Sequence, residues 1–226
     1  MPTRAKIYAH TVVAAGAITL ALAAALWSCQ SPIRFLACLF LALLASTFKV
    51  KLPGMEGCIT PSFVPLLFSV GTMTWQESVV MAAAAGFMQT LWRAQKPPMP
   101  IQVLFNGANL VLSMGSAFAI SEALAGHQLL VRLAIAVVVF ETLNTLFVSM
   151  VVRLITGDPL AGVWRNCHLW TFPYHLCGAV LAVVWIQSDL AMGLSLGVLG
   201  ALTLYLMSTF YQELVRRTAP GERLST

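Results

Sequence analysis

The chain has 226 residues, 59% of them hydrophobic and only 9% charged, with a formal net charge of +5. Soluble domains carry about 25% charged residues, so this chain cannot solvate its own surface, and lipid must be its solvent. The basic residues lie two or three at a time in scattered patches, which argues against a nucleic-acid surface and marks them as topology determinants that also favour anionic headgroups.

Eight apolar segments can be marked, at 7–27, 33–48, 59–75, 77–92, 101–125, 129–152, 169–187 and 190–212. A crossing helix needs about 20 apolar residues. Segments 33–48 and 59–75 are short for that, so the count lies between six and eight, and eight fits the charges best. Threaded from a cytoplasmic N-terminus, eleven of the thirteen Lys and Arg fall on the cytoplasmic side: Arg4, Lys6, Lys49, Lys51, Arg93, Lys96, Arg153, Arg165, Arg216, Arg217 and Arg223. Only Arg34 and Arg132 fall outside. This positive-inside bias predicts an all-α integral membrane protein of the bacterial inner membrane, a bundle of about eight transmembrane helices with both termini cytoplasmic. Residues 1–215 form a single transmembrane domain, and 216–226 a short charged tail.

In the first segment, Arg4 and Lys6 precede an apolar run that closes on Leu26-Trp27-Ser28-Cys29. That is the outline of a signal peptide with a loose lipobox. Trp27 is atypical there and seven apolar segments follow, so an uncleaved first span is expected. Ala17, Ala21 and Ala25 repeat every four residues and offer a smooth face for close helix packing. Residues 49–65, KVKLPGMEGCITPSFVP, hold Pro53, Pro61 and Pro65. Proline removes a backbone donor, so a loop runs to about 60 and the third span is short or kinked near Pro65. Irregular backbone at membrane depth survives only where protein or a water cavity surrounds it, which makes this span a candidate pocket wall.

The fourth segment closes on Trp92-Arg93, and Pro97, Pro98 and Pro100 stiffen the connection to the fifth. Residues 156–168 read as a polar loop, and Pro173 interrupts the seventh segment near its start. The third and seventh are thus the Pro-interrupted pair, a pattern that points to a binding site in transporter folds. The eighth carries Gly193 and Gly197, another close-packing face.

Glu141 is the one acidic residue deep in a segment. An ionised carboxylate in hydrocarbon costs roughly 2.5–3.5 kcal/mol on insertion scales, so it must face the interior, find a partner or be protonated. Asn144 lies one turn on, and Asn106 and Asn109 repeat the spacing on the fifth segment. The fifth and sixth should pack antiparallel, and the rise of about 1.5 Å per residue puts Asn109 and Glu141 at similar depth. The expectation is one midplane cluster of Glu141, Asn144, Asn106 and Asn109, a ligand or proton site. The plainer reading of the asparagines is interhelical hydrogen bonding, typically about 0.6 kcal/mol each.

Tyr174 and His175 lie where an aromatic belt runs into a pocket wall, and Gln89, Trp92 and Arg93 are candidates to line the same cytoplasmic vestibule. His168 and His175 stand seven apart without a second ligand cluster, so no metal site is expected. Cysteines 29, 38, 58, 167 and 177 include no CxxC pair. No nucleophile elbow, phosphate loop, HExxH or paired carboxylates occur, so no catalytic residues, cofactor or enzymatic activity are expected.

Three stretches, KVKLPGMEGCITPSFVPLLFSVG (49–71), QTLWRAQKPPMPIQVLFNGANL (89–110) and WRNCHLWTFPYHLCGAVLA (164–182), resemble the MASE-like multi-span membrane input domains that precede GGDEF or HD-GYP domains in bacterial signalling proteins. The resemblance covers most of 35–212. In that family the last span leads into a cytoplasmic output domain, whereas this sequence has none after Arg216-Arg217. What it implies is a free-standing sensory or ligand-binding module that needs a partner protein. Residues 53–92 also resemble in pattern the substrate-binding subunits of energy-coupling-factor vitamin transporters. That likeness implies a transporter of a vitamin-like solute, or its binding subunit. Both readings take membrane lipids, a partner protein and an unidentified small molecule as partners.

Overall fold

The computed structural model describes residues 1–51, 58–94 and 97–188, apart from the side chains of 50, 51, 58, 59, 166–170, 173 and 174. Seven helices account for nearly all of it: α1 (Thr3–Ala25), α2 (Pro32–Ser46), α3 (Phe63–Thr72), α4 (Trp75–Leu91), α5 (Pro100–Ala123), α6 (Leu129–Thr156) and α7 (Leu160–Gln187). A two-residue antiparallel ladder, β1 (Val50–Lys51) on β2 (Cys58–Ile59), closes the loop before α3. Helices α1, α5 and α6 are long and apolar enough to cross a membrane. The expected eighth segment, its glycine pair and the charged tail lie outside the described residues.

Local chemistry explains the short elements. The Ser31 side chain caps α2, and Pro32 opens it, where the missing N–H costs nothing. Pro65 sits in the first turn of α3, where its N–H would have no partner in any case. The proline therefore sets where α3 begins and does not kink it. Met73 is extended, and Thr74 then starts α4 with a reciprocal capping box to Glu77. Gly157, at φ 84°, ends α6 in the left-handed conformation, which a residue with a Cβ adopts only at a cost.

Three expectations change here. The loop at 156–168 shrinks to three residues, because α7 already begins at Leu160, just after Pro159 at φ −61°. Helix α7 also continues through Pro173 to Gln187. The loss of one hydrogen bond does not break a helix held by neighbours on both flanks, so α3 and α7 are not a matched broken pair. Ala17, Ala21 and Ala25 are exposed. The packing face of α1 is instead Ala5, Ala9, Val12, Gly16 and Ala23, because Gly16 lets the backbone of Ala108 come so close that a Cβ there would stand 2.6 Å from its Cα.

Side-chain pairs fix the helix directions. Tyr8 meets Phe105 and Gly16 meets Ala108, so α1 and α5 run parallel. Gly86 lies on Gly107 and Trp75 on Gly115, so α4 opposes α5. Arg132 bonds Ser121 and Asn109 bonds Asn144, so α6 opposes α5. Glu141 meets His175 and Trp164 meets Thr145, so α7 opposes α6. Phe63 meets Gly178 and Gly71 meets Ile186, so α3 and α7 run parallel. Arg4, Lys6, Lys49, Arg93, Arg153 and Arg165 consequently gather at one end of the bundle, and Arg34 and Arg132 at the other.

The core lies around α3, which touches α2, α4, α5, α6 and α7. Six of its ten residues are buried, among them Leu66, Leu67 and Val70, which pack with Met81, Met114 and Leu133. The outer faces remain apolar: Ile18, Leu36, Phe40, Ile135, Leu176 and Val180 are all exposed. A surface of that kind suits hydrocarbon and not water.

Candidate functional site

Glu141 comes from the middle of α6 and is fully buried. It faces α7, where the Thr171 hydroxyl donates to Oε1. The His175 Nδ1 lies 2.9 Å from Oε2 and 2.9 Å from the Thr171 carbonyl. A ring nitrogen between a carboxylate and a carbonyl faces two acceptors, so with Glu141 ionised it carries its proton. Thr171 and His175 are four apart on a helix and so share a face. Both are buried.

Aromatic rings seal the pair. Phe63, the first residue of α3, packs tilted against the His175 ring, with centroids 4.5 Å apart, and the Phe140 centroid lies 5.8 Å from it. Phe63 reaches this place because residue 178 is glycine: a Cβ there would stand 1.6 Å from the ring. One turn beyond Glu141, Thr145 donates to the Glu141 carbonyl at 2.6 Å and accepts from Trp164 Nε1 at 3.0 Å.

The expected four-residue cluster is thus divided among three neighbours. Glu141 turns to α7. Asn144 pairs with Asn109 on α5 through a 2.6 Å amide bond, with Ser113 donating to Asn109 Oδ1 at 3.3 Å. Asn106 turns the other way, to Thr90 Oγ1 at 2.7 Å and the Gly86 carbonyl on α4. Gln89 accepts from Thr60, which is in turn bonded to Ser62 just before α3. Lys49 donates to the Trp92 carbonyl at the same end, and Arg93, at φ 43°, lies over the Trp92 ring. Among the described residues, the polar end near Gln89 is therefore built from Lys49, Thr60, Ser62 and α4. The side chains of Tyr174 and His168 lie outside the described residues.

Glu141 is not the only buried acid. Glu77 is 1% exposed, but it sits at the N-terminus of α4, where free N–H groups and the helix dipole favour a carboxylate. Its Oε2 accepts from the Thr74 N–H and shares the one Thr74 hydroxyl proton with the Ser28 carbonyl, and its Oε1 accepts from the Cys29 thiol at 3.0 Å. That bond to Glu77, then burial, push the thiol above its ordinary range. Thr74 and Gln76 also donate to the carbonyls of Ser28 and Leu26, so this node pins the α1–α2 turn to α4 and has a structural explanation. The Glu141 pair has none of a helix terminus's help.

Thr171, Thr145, Trp164 and Phe63 were not singled out from the sequence. The i, i+4 relation of Thr171 to His175, and of Thr145 to Glu141, was the available signal. Chemically, two titratable groups in contact can hold and release a proton, and can bind an ionic or hydrogen-bonding ligand. Among the described residues no three metal-binding side chains converge. The chain matches no family model, no curated protein and no solved structure.

Proposed function

We propose that this protein is a bacterial inner-membrane sensory or ligand-binding module of eight crossings, with both termini cytoplasmic, acting through a partner protein. Its ligand, a small molecule or lipid, is bound next to Glu141, His175 and Thr171 between α6 and α7. The observation that carries this reading is the complete burial of the Glu141 carboxylate against a histidine, far from any helix end. An intramembrane ionisable residue is costly and marks a functional site by default. The gathering of basic residues at one end of the bundle supports a cytoplasmic placement of that end.

The test is thermal unfolding of the purified protein in detergent with vitamins, nucleobases, quinones and lipids. A ligand that binds only the folded state raises its stability by mass action. At least one class is expected to stabilise the wild type and not Glu141→Gln. If no class does so, or the variant responds like the wild type, this site is packing only. A proton-coupled solute carrier is the second reading, favoured by a titratable pair in the bundle interior. It requires solute uptake into proteoliposomes that Glu141→Gln abolishes, whereas a sensor binds without moving solute.

A further inference from the structure

We propose that one face of α6 is a proton entry path from the Arg153 end of the bundle to the Glu141–His175 pair. This deepens the reading of that pair as the functional site and rests on it. Arg153, Ser149, Thr145 and Glu141 follow at four-residue steps. They form one ridge that rises about 18 Å from end to middle at 1.5 Å per residue. Arg153 is exposed, and the other three are buried.

Ser149 is the decisive member. Its Oγ is buried and has no hydrogen-bond partner among the described residues. Other helical hydroxyls in this chain, including Thr145, Ser46, Thr90 and Ser78, turn back onto a carbonyl of their own helix. A buried hydroxyl left unmatched costs about 1–3 kcal/mol, so its place between a charged end and a buried carboxylate calls for a polar visitor. Steps of about 6 Å along the ridge are within the reach of a hydroxyl and one bridging water, with the Thr145 hydroxyl turning from the Glu141 carbonyl to pass the proton on.

The same ridge is closed in the other direction. Val137 and Leu133, the next members beyond Glu141, are fully buried in the apolar core. A proton thus has hydroxyls on one side of the pair and hydrocarbon on the other.

Among the described residues the titratable groups around the pair are few. Helix α3 contains no titratable residue, and Glu122 of α5 lies at the far end, bonded to Arg132. Helix α1 brings Arg4, Lys6, Tyr8 and His10 near the Arg153 end, with Arg4, Lys6 and His10 exposed. Helix α7 brings His175, the exposed Arg165 and the exposed thiol of Cys177; the side chains of Cys167, His168 and Tyr174 are outside the described residues.

The probe is dicyclohexylcarbodiimide, an apolar reagent that adds to a buried carboxyl only in its protonated form. The full chain is placed in sealed vesicles, its orientation read from protease access to an N-terminal tag, and the pH is set separately at each face. Mass spectrometry then reads the adduct on Glu141. The adduct is expected to rise when the pH falls at the Arg153 face and not when it falls at the opposite face. Ser149→Val should slow that response several-fold, and Ser149→Thr, which keeps the hydroxyl in nearly the same volume, should restore it. An adduct that follows the opposite face, or an unchanged response in Ser149→Val, overturns the path and leaves the site standing. No adduct on Glu141 at any pH overturns both.

Discussion

A carboxylate with no solvent contact is stable only through its partners, and among the described residues Glu141 meets Thr171 and His175 on α7. Removing one member of a buried charged pair leaves the other unmatched, at a cost of about 3–5 kcal/mol, whereas removing both with apolar replacements is often neutral. His175→Leu is therefore expected to destabilise the protein by about 3–5 kcal/mol, and Glu141→Leu/His175→Leu by less than His175→Leu alone. Unfolding in detergent measures both. Additive losses would mean that the two side chains do not interact. The Asn109–Asn144 bond is a different matter, since interhelical amide contacts of this kind average about 0.6 kcal/mol. It aligns α5 with α6 and is worth little more.

At the scale of elements, α3 positions the site. Helix α3 is about 15 Å long at 1.5 Å per residue, half the hydrocarbon thickness, yet six of its ten residues are buried. Its first residue, Phe63, covers His175, and its packing against α7 depends on Gly178. Gly178→Ala would place a Cβ 1.6 Å from the Phe63 ring, so the ring must leave the imidazole or the two helices must part. Overpacking of this kind costs about 1–3 kcal/mol. The expected result is that loss in thermal or denaturant unfolding, together with weaker ligand response in the thermal-shift assay. Unchanged stability would show that Phe63 moves freely and does not seal the pair.

At the scale of the molecule, the directions of the described helices alternate along the chain, and this alternation places Arg4, Lys6, Lys49, Arg93, Arg153 and Arg165 at one end and Arg34 and Arg132 at the other. Single cysteines introduced near Arg153 and Arg93 are expected to react with a membrane-impermeant thiol reagent from one face only. Cysteines near Arg34 and Arg132 should react from the other. Labelling of both groups from the same face would break the eight-crossing topology and with it the cytoplasmic placement of both termini.

Composition alone determined that lipid is the solvent, because 9% charged residues cannot cover a surface in water. Apolar run lengths located six of the seven described helices to within about four residues at each end, since an apolar stretch in lipid must satisfy its backbone internally, whereas α7 starts well before the expected residue 169, at Leu160. Proline was the weak guide. Pro65 reads as the mark of a short or kinked third span, and α3 is short, 10 residues with Pro65 in its first turn; Pro173 reads as an interruption, but a proline flanked by packed neighbours leaves α7 intact. The partners of the polar residues were settled only by tertiary structure. Successive residues turn about 100° around a helix, so Glu141 and Asn144 stand about 60° apart, near enough to share a face and far enough to meet different helices. Which helix lies on each side depends on how α5, α6 and α7 pack around α3. That arrangement sent Asn144 to α5 and Glu141 to His175, a pair separated by 34 residues of chain that no local spacing announces.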